Sequence, residues 1–140
     1  MSESCLCIDL RTAAQKLTQV YDEAMAPSGI SVTQFSLLHL IQTMDNPTLS
    51  ALADASELER STLGRNIKVL ERMELVITRV GTDARSKTIC LSRKGTNAFK
   101  RAAPLWYSVQ SELNERLGLS GRARLADMLG SLTEPLAANQ

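Results

Sequence analysis

Leu10, Ala13, Leu17, Val20 and Ala24 recur at spacings of three and four, the apolar stripe of an amphipathic helix over about residues 8–26. Pro27-Ser28-Gly29 stops it. Ser31 and Gln34 have capping-box spacing, and Phe35, Leu38 and Ile41 carry a second helical stripe until Asp45-Asn46-Pro47 breaks it. Thr48 can cap a short third helix with Leu49, Leu52 and Ala53 inside. A turn through Ser56 and Glu57 leads into a fourth helix over about residues 59–73, with Leu63, Ile67 and Leu70 on its inner face. Helical rotation places Ser61, Arg65, Lys68 and Arg72 near the opposite side.

The period then changes. Leu75 to Val80 is β-branched and strand-like, Gly81 to Arg85 reads as a loop, and Lys87 to Leu91 reads as a second strand with Ile89 and Leu91 on one face. The pair forms a hairpin longer than a tight turn requires. Ser92 can cap a fifth helix striped by Ala98, Ala102, Leu105, Val109, Leu113 and Leu117, kinked at Pro104 and ended by Gly118. A last helix after Ser120 shows Leu125, Met128, Leu132 and Leu136. The fold class predicted is mainly α (α+β), with about six helices and one β-hairpin wing around a winged helix-turn-helix. The first and last helices are both amphipathic, and pairing across a two-fold axis would bury both.

Composition narrows the picture. A chain of 140 residues with 44% apolar and 22% charged residues is sized for one globular domain. No apolar run reaches the roughly 18 residues of a membrane span. Met1 to Cys5 lacks the basic start and apolar stretch of a signal peptide, so a cytoplasmic protein with reduced thiols is expected from its three cysteines. Aromatics at 4% argue against a stacking platform for single strands or RNA. There is no glycine-rich phosphate loop or serine elbow, and His39 is the lone histidine. An enzyme, a cofactor and a metal centre are therefore not expected.

Charge is more informative locally than in total. Residues 60–101 hold eleven Lys/Arg and three acids, a net of +8, while the remainder holds five basic and twelve acidic residues, a net of −7. Such asymmetry within one small domain is the footprint of a polyanion-binding face, although a solvated basic surface would look the same.

The motifs in and just before that window decide between them. Leu49-Ser50-Ala51-Leu52-Ala53, Leu58 to Arg65, Leu70 to Val76, Asp83-Ala84-Arg85 and Leu91 to Gly95 stand in order at family spacing, and the chain resembles the MarR family of bacterial transcriptional regulators from about residue 6 to the end. The resemblance implies a single domain over 1–140, with a winged head at about 31–92 and a helical dimerisation base from about 6–27 and 93–140. It implies a homodimer that represses or activates nearby genes and is relieved by a small-molecule effector or by cysteine oxidation.

A recognition helix reads base edges from its N-terminal half. Arg65 is the candidate main reader, Ser61 and Thr62 suit bases or phosphates, and Lys68 and Arg72 suit phosphates. Arg85 sits where the family usually has a minor-groove arginine, a position favoured by the concentrated negative potential there. Asp83 would orient that arginine and shape the loop, and Lys87 suits a phosphate. Thr33 and Gln34 are weaker backbone candidates that read equally as a helix cap. Gly64, inside the cationic helix, costs roughly 1 kcal/mol against alanine. A close neighbour, protein or DNA, would justify it. Two heads on a dimer require a near-palindromic operator, double-stranded, with half-sites about one helical turn apart.

Cys5 to Arg11 resembles the organic-hydroperoxide-sensing branch, which implies a reactive cysteine at Cys7. A helix N-terminus and Arg11 would favour its thiolate. That branch supplies tyrosines from the second helix to bond the sulfur, and the matching positions here, Val32 and Phe35, cannot donate. Cys7 reads equally as a small apolar residue of the dimer base. Cys5 and Cys7 together suit a soft metal or metalloid only with a third ligand from elsewhere. Cys90 reads as structural. Tyr21, His39, Trp106 and Tyr107 are the polar aromatics available to an effector, and each also reads as ordinary packing. The rival class is a helical protein-interaction module without specific DNA readout.

Overall fold

A computed structural model describes residues 3–81 and 87–136. The chain divides into two compact units, Met1–Trp106 and Tyr107–Gln140.

The first unit opens with α1 (Leu6–Met25), which starts from an extended Cys5. It tightens into a 3-10 turn at Ala26–Ser28, and Gly29 ends that turn at φ 81°, a left-handed conformation natural to glycine. The buried Ser28 hydroxyl donates to the Met25 carbonyl at 2.6 Å. Helix α2 (Val32–Met44) carries the full capping box. Ser31 Oγ accepts from the Gln34 amide at 3.1 Å, and Gln34 Oε1 accepts from the Ser31 amide at 2.9 Å. Asp45 and Asn46, both at φ 57°, stop the helix. Thr48 Oγ1 then caps α3 (Leu49–Ser56) by accepting from the Ala51 amide at 3.1 Å. Glu57, at φ 58°, makes the turn into α4 (Arg60–Arg72).

Strands β1 (Val76–Val80) and β2 (Lys87–Leu91) pair antiparallel, with Thr78 opposite Ile89. The hairpin is anchored at two places. The Ile89 amide donates to the Pro47 carbonyl at 2.9 Å, tying β2 to the start of α3. The second anchor is the turn after α4. There Glu74 adopts φ 62°, and the Leu75 amide donates back to Leu70 at 2.9 Å. The Ser92 amide donates to the Leu75 carbonyl at 3.0 Å. Ser92 Oγ donates to the Glu74 carbonyl at 2.6 Å and accepts from the Gly95 amide at 2.9 Å. Gly95 is buried against this turn, and a Cβ there would collide with the Leu75 carbonyl.

One core joins these elements: Met25, Leu38, Ile41, Leu52, Leu63 and Leu70 are all fully buried. Each such side chain contributes about 1.5–3 kcal/mol of transfer free energy. Phe35 stacks on Phe99 at 4.7 Å with planes 3° apart, with Trp106 at 5.6 Å on the same ring, and His39 stacks on Phe99 at 5.8 Å. Every described residue from Glu3 to Val20 is exposed in the single chain, Leu6, Ile8, Leu10, Leu17 and Val20 included.

Helix α5 (Arg93–Thr133) leaves helical geometry at Gly118, with φ 71° and ψ 168°. The expected fifth and sixth helices are thus one run broken where glycine permits a left-handed residue. Pro104, where a kink was expected, keeps helical dihedrals. In the second unit Leu119, Met128, Leu129, Leu132 and Leu136 are exposed. No helix among the described residues is long and apolar enough to cross a membrane.

Candidate nucleic-acid interface

Helix α4 is held by burial of one face. Leu63, Ile67 and Leu70 enter the core, and the 100° rotation per residue turns Ser61, Arg65, Lys68 and Arg72 outward, all four exposed. Thr62 is half-buried beside them, and its Oγ1 accepts from Arg65 Nη2 at 3.4 Å. The first turn of α4 contains no acid. Among the described residues the ion pairs are Lys94–Glu74 at 3.6 Å and Arg116–Glu112 at 3.7 Å, so none of the outward cations of α4 has a carboxylate partner there.

The wing adds to this face. Lys87 opens β2 and is exposed, paired in register with Val80. Glu71 is the acid on the cationic helix, and its Oε1 accepts from Thr78 Oγ1 on β1 at 2.7 Å. The structure brings Lys68 and Lys87 to the two sides of one cleft between α4 and the wing, with Ser61, Thr62, Arg65 and Arg72 on the same helix as Lys68. Asp83 and Arg85 lie outside the described residues. Gln34 is committed to its capping box, with its amide also 3.6 Å from Met73 Sδ, whereas Thr33 is exposed.

Cys5 and Cys7 stand apart from this surface in sequence. Both are free and exposed at the start of α1, where Ser4 Oγ donates to Asp9 Oδ2 at 2.6 Å. Val32 gives its amide to Asp22 Oδ1 at 2.8 Å, and Phe35 is buried in the aromatic stack. Neither side chain carries a hydroxyl; Phe35 lies in the core and Val32 packs against it. Cys90 is free and half-buried on β2, opposite Ile77. Among the described residues no group of three or more His, Cys, Asp or Glu side chains is placed to hold a metal ion.

Two structural residues escaped the sequence reading. Thr78 looked like a generic strand residue, and its bond to Glu71 depends on the fold alone. Gly95 carried a signal, a glycine three residues after a capping serine, which is where a helix start meets another backbone closely.

Comparison with known proteins places the chain. A sequence profile of the MarR family matches residues 28–86. The transcriptional regulator MosR of M. tuberculosis, crystallised in complex with DNA, is 40% identical with a TM-score of 0.81, covering 92% of this chain and 96% of that one. The chain belongs to the MarR family. A mutant of E. coli MarR in complex with operator DNA shares the fold, at a TM-score of 0.82 and 21% identity over 92% of this chain and 94% of that one. YwoH of Bacillus subtilis (strain 168), described as an uncharacterized HTH-type transcriptional regulator, is 24% identical over 104 residues, 74% of this chain and 76% of that protein. In this MarR-family chain, α3 and α4 form the helix-turn-helix, and β1 and β2 form the wing.

Proposed function

We infer that this chain is a DNA-binding transcriptional regulator that reads double-stranded DNA by sequence. The observation that carries the reading is the outward face of α4. Three cations, Arg65, Lys68 and Arg72, stand there without an acid partner among the described residues, on a helix fixed by Leu63, Ile67 and Leu70. A helix of this kind fits a major groove, where arginine can take guanine by two hydrogen bonds. Ser61 and Thr62 flank Arg65 for bases or phosphates, Lys68, Arg72 and Lys87 take phosphates, Arg85 enters the minor groove and Asp83 orients it.

The chain works as a homodimer. The exposed apolar stripe of α1 supports this, because water contact along Leu6, Leu10, Leu17 and Val20 is unfavourable until a second copy covers them. The head at about 31–92 and the helical parts at about 6–27 and 93–140 then serve one domain. The regulator acts in the cytoplasm as a repressor, without catalysis, on a near-palindromic operator. Release comes from a small-molecule effector or from oxidation at Cys5 and Cys7, both exposed at the start of α1.

A gel shift against the DNA upstream of the protein's own gene tests the assignment. Retarded, sequence-dependent complexes are expected; a helical protein-interaction module would give none. Mass spectrometry after peroxide treatment tests the redox arm. Unmodified Cys5 and Cys7 with unaltered DNA binding would remove it.

A further inference from the structure

Among the described residues, Gly64 is not kept bare by the protein's own packing. It sits inside α4, where glycine costs helix stability relative to alanine. Its backbone is not left-handed, unlike Gly29 and Gly118. Among the described residues a Cβ placed there would meet no atom within 4 Å, in contrast to Gly95, where it would strike backbone. Neither conformation nor internal contact calls for the missing side chain.

The space in front of Gly64 is a cleft of about 360 Å³ between α4 and the wing. Lys68 lines it from the helix side and Lys87 from the wing side. Glu71 also lines it, with its carboxylate hydrogen-bonded to Thr78 on β1. A helix in a major groove and a wing in the adjacent minor groove are separated by one sugar–phosphate strand, which has to pass between them. Cations on both walls suit that strand, and a bare floor lets it approach.

We propose that the α4–wing cleft seats one sugar–phosphate strand of the duplex and that Gly64 is a positioning residue kept bare to admit it. The proposal rests on the DNA-binding reading above. It assigns to Gly64 the close approach of that strand to the α4 backbone, a contact shared by every duplex sequence.

Gly64→Ala and Gly64→Leu test it, with thermal unfolding and with fluorescence anisotropy on the operator and on a random duplex at several salt concentrations. Both variants are expected to fold, with Tm of Gly64→Ala raised by about 2–6 °C from helix propensity alone. Affinity is expected to fall about fivefold for alanine and about fiftyfold or more for leucine, by the same factor on both duplexes, because backbone contacts carry no sequence information. The salt dependence of Gly64→Leu should flatten toward that of a Lys68→Ala/Lys87→Ala double variant. Wild-type affinity in both variants would overturn the proposal, as would a lowered Tm, which would make Gly64 structural. A loss confined to the operator would place Gly64 against a base and would also overturn it. A wild-type protein that binds no duplex defeats the DNA-binding reading itself; wild-type binding matched by both variants defeats the Gly64 assignment alone.

Discussion

Thr78 Oγ1 donates a 2.7 Å hydrogen bond to Glu71 Oε1, joining the wing strand to the recognition helix. The contact settles where the acid of the cationic helix points. Its carboxylate still repels phosphate, by about 0.5–1 kcal/mol for unit charges several ångströms apart in water. Glu71→Gln keeps an oxygen for Thr78 to donate to and removes the charge. Operator and random duplex should both bind about 2–5-fold more tightly at low salt, with the gain fading as salt screens it. Anisotropy titrations at two ionic strengths check this, and unchanged or weaker binding at low salt would contradict it.

Arg65 and Lys87 should behave differently on replacement. With Arg65 as the proposed base reader, Arg65→Ala should cost about 1–3 kcal/mol on the operator with a smaller loss on random DNA. With Lys87 as a proposed phosphate contact, Lys87→Ala should weaken both duplexes alike and should lower the salt slope by about 1. Paired titrations on the two duplexes separate the cases; equal losses for Arg65→Ala on both would demote it to a backbone contact.

Gly95→Ala should destabilise the fold, because the new Cβ would strike the Leu75 carbonyl at the anchor that joins α4, β1 and α5. Forced overpacking of this kind typically costs 1–3 kcal/mol, about the loss expected in urea unfolding. Ser92→Ala removes the cap on Gly95 and the bond to Glu74 and should cost about 1–2 kcal/mol. Wild-type midpoints in both variants would show that the anchor is not needed.

Leu17 and Val20 lie on the exposed stripe of α1. A Leu17→Glu/Val20→Glu double variant buries two charges if a second copy covers that stripe, a cost no dimer interface absorbs easily. Sedimentation velocity should show dimer for the wild type and monomer for the variant at micromolar concentration. A wild-type monomer would remove the dimer from the account.

Much of this was legible in the sequence because local rules and the fold agree. The Ser31–Gln34 box, the Thr48 cap, the Gly29 stop and the inner face of α4 all stand where their spacing placed them. The break in α5 followed Gly118, which permits a left-handed residue, and Pro104 stayed within helical geometry. The cationic helix could be read because charge and apolar positions share one 3.6-residue period. The cleft could not. Gly64, Lys68, Thr78 and Lys87 meet there only once the hairpin is anchored at Pro47 and Leu75, and no spacing along the chain encodes that meeting. The stacking of Phe35 was equally unreadable, since its partners Phe99 and Trp106 lie more than sixty residues away.

The most direct test is a titration of the purified protein into a duplex carrying the near-palindrome from its own upstream DNA, followed across a range of salt. One dimer per duplex is expected, with an affinity that falls linearly and steeply with salt on logarithmic axes and a marked loss for Arg65→Ala. Binding that ignores salt, or that survives Arg65→Ala and Lys68→Ala together, would contradict it.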